Sequence, residues 1–536
     1  MASTIPDPVL DEEAPGPPIS VPDSGDTGEG GKLKMIVQLV KKCLGVKDIA
    51  AMRLSLPASL LEPIPNLEYW HYLDRPDYFA AINESEDPFL RMLAVVRFAF
   101  TKELKFAHGR VVKPYNSVLG EHFRAHWDVV PSPYVLDSEE GDGTGSETAS
   151  QRSGKSFKSA ISGVSSFSKP KSTSTAATSA DGLASQVSNL NLTTAGGEAI
   201  RVVYLTEQVS HHPPVSAYFA SCPSRSIEMS GIDQISAKVS GTTLRVAPGE
   251  FNQGIFVRLT GGPGEGERYH ITHPVASVNG ILRGSFYVTI GESTIITCEG
   301  GKPGHKFRTI IEYKEESWLG RAHFLIEGVI HTVLDSDANH CADWTRVKHV
   351  PNNRVVATFD GSWKGKIRWK RVGTGSYPAS PDHPGVTRST ASSPNPSHIK
   401  LPAPQIPAAS LSRADVVMSS VGGDWTPLLD IDSLDIIPKV VRPLEKQHPR
   451  ESRKLWETVT DKLNKKEYSE ATKEKVAIEQ RQRDETAERK RKGVEFVPRY
   501  FSNDFSGGFA ELTDEGKAAF AEELKEEALE TKVTKT

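Results

Sequence analysis

The chain has 536 residues with 64 basic and 68 acidic side chains, and its formal charge of −4 leaves no overall field that would draw nucleic acid. That length suits two or three average domains, or one large domain with insertions. Four cysteines, Cys43, Cys222, Cys298 and Cys341, stand too far apart for a zinc site or a secreted disulfide framework and read as reduced thiols.

Residues 1–31 are acidic and rich in proline and glycine, which predicts a disordered leader. They hold no basic start followed by an apolar core, so no signal peptide is expected, and no run approaches the roughly 20 apolar residues that span a bilayer. The expected place is the cytoplasm, with visits to membranes. Next, Leu33, Ile36, Val37, Val40 and Leu44 recur at helical spacing, with Lys32, Lys34, Lys41, Lys42 and Lys47 on other faces. This is a short amphipathic helix that Gly45 would end, suited equally to packing on a core or touching a membrane. Pro57, Pro63 and Pro65 forbid a long helix before Asn66, after which an aromatic-rich helical segment is expected to about Phe79. A longer buried helix is predicted over 89–104, with Leu90, Leu93, Val96 and Phe100 as its apolar stripe and Arg97 off it.

Lys113-Pro114-Tyr115-Asn116 places a lysine and an asparagine three apart around a proline turn, where both can aim at one anion; a lone surface lysine is the alternative. Residues 136–197 turn Ser/Thr/Gly/Ala-rich and read as a disordered insertion. Within it, residues 149–156 mimic a relaxed phosphate-binding loop, but no buried strand precedes them and the match is set aside. The run Val202-Val203-Tyr204-Leu205 reads as a strand and leads into Glu207-Gln208-Val209-Ser210-His211-His212-Pro213-Pro214. Neither proline has an N–H to donate, so sheet pairing must stop there. Adjacent side chains of an extended chain point to opposite faces, and both imidazoles can serve one cavity wall only where the strand twists or ends. The pair lacks the spacing of zinc motifs, and on spacing alone two histidines beside prolines are more often structural or surface residues than ligand contacts.

From 201 to 370 the pattern is β, with strand candidates at 255–259, 283–290, 307–313, 324–334 and 355–359, and an alternating stretch over 362–369. Many short strands without intervening helices predict a meandering antiparallel sheet, which removes its edges by curling toward a barrel that can enclose a ligand cavity. Residues 373–420 form a second, Ser/Pro-rich insertion. Pro449 is expected in the first turn of a helical region leading to a charged helix over about 470–492, and residues 506–536 read as a charged tail. On that helix Lys475, Glu479 and Arg483 are spaced i, i+4, i+8 and fall within roughly an 80° arc. A solvated face with ion pairs is the alternative. The basic run Arg489-Lys490-Arg491-Lys492 has acidic residues interleaved upstream and does not mark nucleic acid.

Three of these strings, residues 113–121, residues 207–214 and the helix with Lys475, Glu479 and Arg483, resemble in sequence and order the ligand-binding domain of the oxysterol-binding-protein-related lipid transfer family. The resemblance implies a mainly β fold with flanking helices (α+β), a large, nearly closed antiparallel β-barrel enclosing a lipid tunnel. That domain would comprise residues 57–372, with an N-terminal helical lid at 32–56 and a C-terminal helical part at 421–505. It further implies that Lys113, Asn116, His211, His212, Lys475 and Arg483 bind the head group of phosphatidylinositol 4-phosphate, with Glu479 orienting the basic side chains. Lys41, Leu44, Gly45, Val46, Leu54 and Leu56 would belong to the lid and its acyl-chain contacts.

Leu54-Ser55-Leu56-Pro57, Asn66-Leu67-Glu68-Tyr69-Trp70 and Lys113-Pro114-Tyr115-Asn116-Ser117 are most similar to the fungal branch that exchanges phosphatidylserine for phosphatidylinositol 4-phosphate. Phosphatidylserine is therefore the implied second cargo and sterol the runner-up, with a phosphoinositide-sensing scaffold as the other alternative. The implied location is peripheral, at contact sites between endoplasmic reticulum and plasma membrane. The resemblance implies no enzyme, cofactor or metal, and the chain shows no G-x-S-x-G elbow of an esterase.

Overall fold

Each apolar-polar run between glycine-rich turns can bury its apolar side most directly against the run that follows it in sequence. The computed structural model describes residues 19–20, 28–52, 54–108, 112–133, 198–281, 287–304, 306–314, 322–334, 340–372 and 425–526. In it twelve strands pair in sequence order and antiparallel throughout. They are His122–Val129, Ile200–Ser210, Val215–Cys222, Ile227–Asp233, Ile255–Leu259, Glu267–Ile271, Ser293–Gly300, Lys306–Tyr313, Leu325–Val333, Val355–Ser362, Lys366–Arg371 and Thr426–Asp430. The first and last of these strands are not paired with each other, so the hydrogen-bonded ladder is open. A second, four-stranded sheet orders Tyr287–Gly291, Val275–Asn279, Thr243–Pro248 and Ile235–Ser240.

The chain deals with the exposed edge at His122–Val129 by returning to it. After the last strand, Ile437 accepts the indole N–H of Trp127 at 3.1 Å, Val440 bridges to His126 and Glu451 to His122. Backbone groups that would otherwise be unpaired are thereby satisfied.

One face of the sheet packs on helices. Pro88–Thr101 starts well because Pro88 needs no N–H partner there and the Asp87 carboxylate accepts from Phe89 N at 2.8 Å. Phe89, Met92, Val95, Val96 and Phe98 are fully buried, with Phe89 centred 5.7 Å from Trp369 and 5.9 Å from Phe307. Burial runs around the whole helix, so Arg97 is enclosed as well, donating to Pro133 O at 2.7 Å and lying over the Tyr78 ring. The other face, over strands Ile200–Ser210 and Val215–Cys222, buries Val203, Leu205 and Ala217 against Tyr500, Phe501 and Ala519.

Several boundaries differ from expectation. The segment expected as one helix to Phe79 is two short ones, Asn66–Tyr69 and Pro76–Ala80, because the residue before Pro76 is driven out of the helical region, with Arg75 at φ −133° and ψ 78°. The C-terminal helical region starts at Ser452, not at Pro449, and Glu451 instead accepts from His448 N at 3.0 Å. Residues 506–526 are not simply a charged tail: helix Asp514–Lys525, capped by Thr513, packs on the outer face of the sheet. Ile19–Ser20 of the expected leader pairs in parallel with Leu54–Ser55, and the amphipathic helix begins at Glu29. That helix ends at Cys43, with Gly45 at φ +84°, a conformation that only glycine adopts without strain. Both predicted insertions and the phosphate-loop mimic lie outside the described residues. Among the described residues no helix is long and apolar enough to cross a membrane.

Candidate functional site

The histidine motif does what its prolines require. Strand Ile200–Ser210 stops, residues 211–214 turn, and Val215 starts the return strand. The His211 and His212 rings meet edge to face with centroids 4.5 Å apart, both half-buried.

Lys113 and Asn116 sit on a turn anchored by Tyr115, which is fully buried 5.0 Å from Trp456 and hydrogen-bonded to Thr460 at 3.1 Å. With the turn pinned, the Lys113 ammonium donates to Asn116 Oδ1 at 2.6 Å and Pro114 O at 3.0 Å. Helix Tyr468–Lys492 supplies the third part: Lys475, only 3 % exposed, donates to Glu479 Oε1 at 2.6 Å. That burial distinguishes it from a solvated ion-pair face.

These elements are tied together by the backbone. Gly120 N donates to Gln208 O at 2.9 Å and Gln208 N to Glu121 O at 2.8 Å, while Leu119 N donates to Gln482 Oε1 at 2.6 Å. The Lys113 and Lys475 charges therefore sit close enough to interact. Burial first, then the neighbouring Lys475 charge, pushes the Lys113 ammonium down to about 8, with Glu479 opposing. Two crowded ammonium groups, an amide and one carboxylate form a site that is unfavourable while empty and is relieved by an anion. Arg483 lies two turns beyond Lys475, half-buried and held by Gln480 Oε1 at 3.1 Å. It shares the helix face without a direct bond to the two lysines.

Sequence reasoning missed two supports. Gln482 adjoins Arg483 but no spacing rule marks it. Glu121 is fully buried and accepts from Ser452 Oγ at 2.7 Å, Trp456 Nε1 at 3.0 Å and Val118 N at 3.0 Å. Desolvation nevertheless pushes its carboxyl up to about 7.

The lid segment reaches from this site to the small sheet. Lys32 Nζ lies 5.8 Å from the centre of the Tyr468 ring, and at the far end Ile49 N donates to Ala237 O at 2.7 Å. Cys43, Ile49, Ala237 and Val239 bury one another there, with Val46 half-buried beside them. Leu56 is buried, whereas Lys41, Gly45 and Leu44 are exposed, Leu44 at 55 %. Leu54 is placed by its backbone pairing alone.

A second polar group, also missed, lies on the inner side near the strand ends that carry the histidine turn. Asp233 stands opposite Ser216, itself opposite Gln208, three residues before His211. Tyr72 OH donates to Asp233 Oδ1 at 2.7 Å and contacts His273 Nε2 at 3.3 Å, and the Lys102–Glu103 ion pair adjoins them. Burial pushes Asp233 up to about 7 and His273 down to about 3. Glu103 nonetheless keeps 27 % side-chain exposure.

Fold and site together define an antiparallel sheet packed on helices, with Lys113, Asn116, Lys475 and Glu479 on segments tied to the strand that leads into the histidine turn. Residues 35–468 match the sequence profile of the family described as Oxysterol-binding protein. Oxysterol-binding protein-like protein 1 of Schizosaccharomyces pombe is 36 % identical over 535 residues, covering 93 % of this chain and 92 % of that protein. Oxysterol-binding protein homolog 6 of Saccharomyces cerevisiae is 24 % identical over 488 residues, covering 90 % and 77 %. The crystal structure of the Osh1 ORD domain in complex with ergosterol shares the fold with a TM-score of 0.52 at 17 % identity, over 90 % of this chain and 88 % of that one. The chain belongs to the oxysterol-binding protein family, a family of lipid-binding and lipid-transfer proteins.

Proposed function

We propose that this protein exchanges phosphatidylserine for phosphatidylinositol 4-phosphate between membranes without breaking a bond. The observation that carries the reading is the closeness of half-buried Lys113 to buried Lys475, two lysines from distant parts of the chain, bonded to Asn116 and Glu479 respectively. A phosphate monoester is the ligand that such a site lacks. His211, His212 and Arg483 complete the head-group contacts as N–H donors to the phosphate.

Lifting a lipid out of a bilayer exposes two chains of roughly 30 methylenes at ~0.8 kcal/mol each, on the order of 25 kcal/mol. Head-group bonds at ~1.5–3 kcal/mol apiece cannot offset that, so the chains need an apolar enclosure. The sheet supplies it by curling into a nearly closed barrel. Two features support the curl: residues 437–451 leave one edge and bond to the other, and Glu103 keeps accessible surface beside buried Lys102. The amphipathic helix and the segment after it form the lid over this tunnel. A gradient of phosphoinositide then drives the second lipid uphill, since both compete for one cavity. The site of action in this reading is peripheral, where endoplasmic reticulum meets plasma membrane.

Sterol is the second reading for the cargo, and Tyr72, Asp233 and His273 favour it by offering donors and acceptors to a single buried hydroxyl. Extraction from liposomes tests the proposal. Replacing His211 and His212 by Ala is expected to abolish phosphoinositide extraction, and undiminished extraction would refute the head-group assignment. Binding to liposomes without transfer would identify a scaffold, and supplying phosphatidylserine or sterol as the second lipid separates the two cargoes.

A further inference from the structure

A cavity of about 370 Å³ opens next to the segment that follows Lys113 and Asn116, lined by Leu119 and Gly120 and, from the sheet face that Val203 and Leu205 share, by Glu207. Glu207 and His122 line it, and by strand alternation Glu207 faces away from inward-pointing Tyr204 and Thr206. Arg489, which also lines it, is six residues past Arg483, about 9 Å further along the helix.

We propose that this cavity is a second anion site, taking a phosphate monoester carried on a ring-sized group. Three guanidinium groups converge on it from three segments: Arg450 ahead of the C-terminal helices, Arg489 in the last turn of the long helix, and Arg499 beyond it. Arg450 and Arg499 are each ion-paired with one carboxylate, Glu485 and Glu515, and Arg489 is held by a hydroxyl. Arg450 Nη1 donates to Leu119 O at 2.8 Å and Nη2 to Glu485 at 2.7 Å; Arg489 Nη2 donates to Thr486 at 2.9 Å; Arg499 Nε donates to Glu515 at 2.7 Å. Each guanidinium carries five N–H donors, so donors remain for a ligand, and the planar fork matches a phosphate face.

The one carboxylate on the wall is turned away. Both oxygens of Glu207 accept backbone N–H groups, from Arg499 at 2.8 Å and Tyr500 at 2.7 Å, and the residue is 1 % exposed. Phe496 supplies an apolar floor, with Arg489 5.8 Å above its ring. Gly120 keeps that floor open: at φ +75°, a Cβ there would sit 3.2 Å from Phe496 Cε2 and 3.7 Å from Arg450 Nη1. The volume lies in the range of pockets for whole small molecules, ~300–1,000 Å³, well beyond what a bare phosphate fills.

Calorimetry with inositol 1,4,5-trisphosphate on full-length Lys113→Ala protein tests the site with the head-group site disabled. Binding is expected to persist there, and adding Arg489→Gln or Arg499→Gln is expected to weaken it about tenfold. Arg489→Lys, which keeps the charge but loses the fork, is expected to fall between. An unchanged Tm in these variants shows that folding is not the cause. Inorganic phosphate is expected to bind more weakly, and equal binding would overturn the ring-sized part of the ligand. Flotation with vesicles containing phosphatidylinositol 4,5-bisphosphate distinguishes a bilayer-borne head group from a free one, and either binding mode must weaken in Arg489→Gln. Absence of both, or binding that ignores Arg489 and Arg499, overturns the site.

Discussion

The amide of Leu119 donates to Gln482 Oε1 at 2.6 Å, joining residues 363 positions apart. This bond fixes the height of the turn bearing Lys113 and Asn116 against the helix bearing Lys475, Glu479 and Arg483. Gln482 is 5 % exposed, so no water can readily take its place. Gln482→Ala is expected to reduce phosphatidylinositol 4-phosphate affinity about tenfold while shifting Tm by only a few degrees. Liposome extraction beside thermal unfolding checks this. An affinity loss matched by global unfolding would remove the positioning role.

Lys113 makes head-group binding depend on pH. Its pKa near 8 means that the empty protein holds this proton incompletely just above neutrality. A bound phosphate favours the charged form, so binding takes up a proton, and affinity is expected to decline as pH rises from about 7 to 9. Lys113→Arg, which stays charged, is expected to flatten the profile even if its absolute affinity differs. A wild-type profile already flat over that range would contradict the crowded-lysine account.

The parts of this molecule legible in the sequence are those set by local chemistry. Pro213 and Pro214 forced the strand to end at the histidines, Gly45 ended the amphipathic helix, and alternation located strand Ile255–Leu259 with both its ends. What escaped depends on contacts between distant segments. Nothing around Gln482 or Glu121 reveals Leu119, Ser452 or Trp456 as partners, because each lies hundreds of residues away. Helix Asp514–Lys525 was hidden by its charge: Glu522 and Glu523 look like tail residues until Arg124, Arg442 and His126 are seen opposite them. The apolar stripe predicted for a helix over 89–104 was too narrow, since the observed helix, Pro88–Thr101, is enclosed on all sides, leaving Arg97 a buried residue with its own acceptor.

Glu121 offers a test of desolvation against hydrogen bonding. Its folded pKa of about 7 lies above its unfolded value, so the native state holds a proton that the unfolded state releases, and its contribution to stability falls as pH rises from about 4.5 to 7. Glu121→Gln keeps an oxygen for Val118 N and Trp456 Nε1 and presents an N–H to Ser452 Oγ. That variant is expected to match or exceed wild-type stability at pH 8. Glu121→Ala is expected to lose about 2–4 kcal/mol, because it orphans buried donors. Urea unfolding of both at pH 5 and pH 8 discriminates; a Gln variant as weak as the Ala one would mean that the carboxylate charge itself is needed.

Besides its apolar packing, the interior helix is tied to the sheet by a buried ion pair. Arg91 Nη2 and Nε reach Glu267 Oε1 at 2.5 Å and Oε2 at 2.8 Å, and Tyr269 OH also donates to Oε2 at 2.8 Å. Both charged side chains are almost fully enclosed, at 5 % and 6 % exposure. Removing one partner leaves the other charge buried, a worse state than having neither. Arg91→Met is therefore expected to cost about 3–5 kcal/mol, the double replacement Arg91→Met with Glu267→Met distinctly less, and the difference appears in a double-mutant cycle of denaturant midpoints. The carbonyls of Ser85 and Glu86, which accept from Arg91 Nη1 at 2.7 and 3.0 Å, lose that donor in both variants, so the effect cancels between them. If the double variant proves no more stable than Arg91→Met alone, those carbonyls and not the ion pair secure the helix.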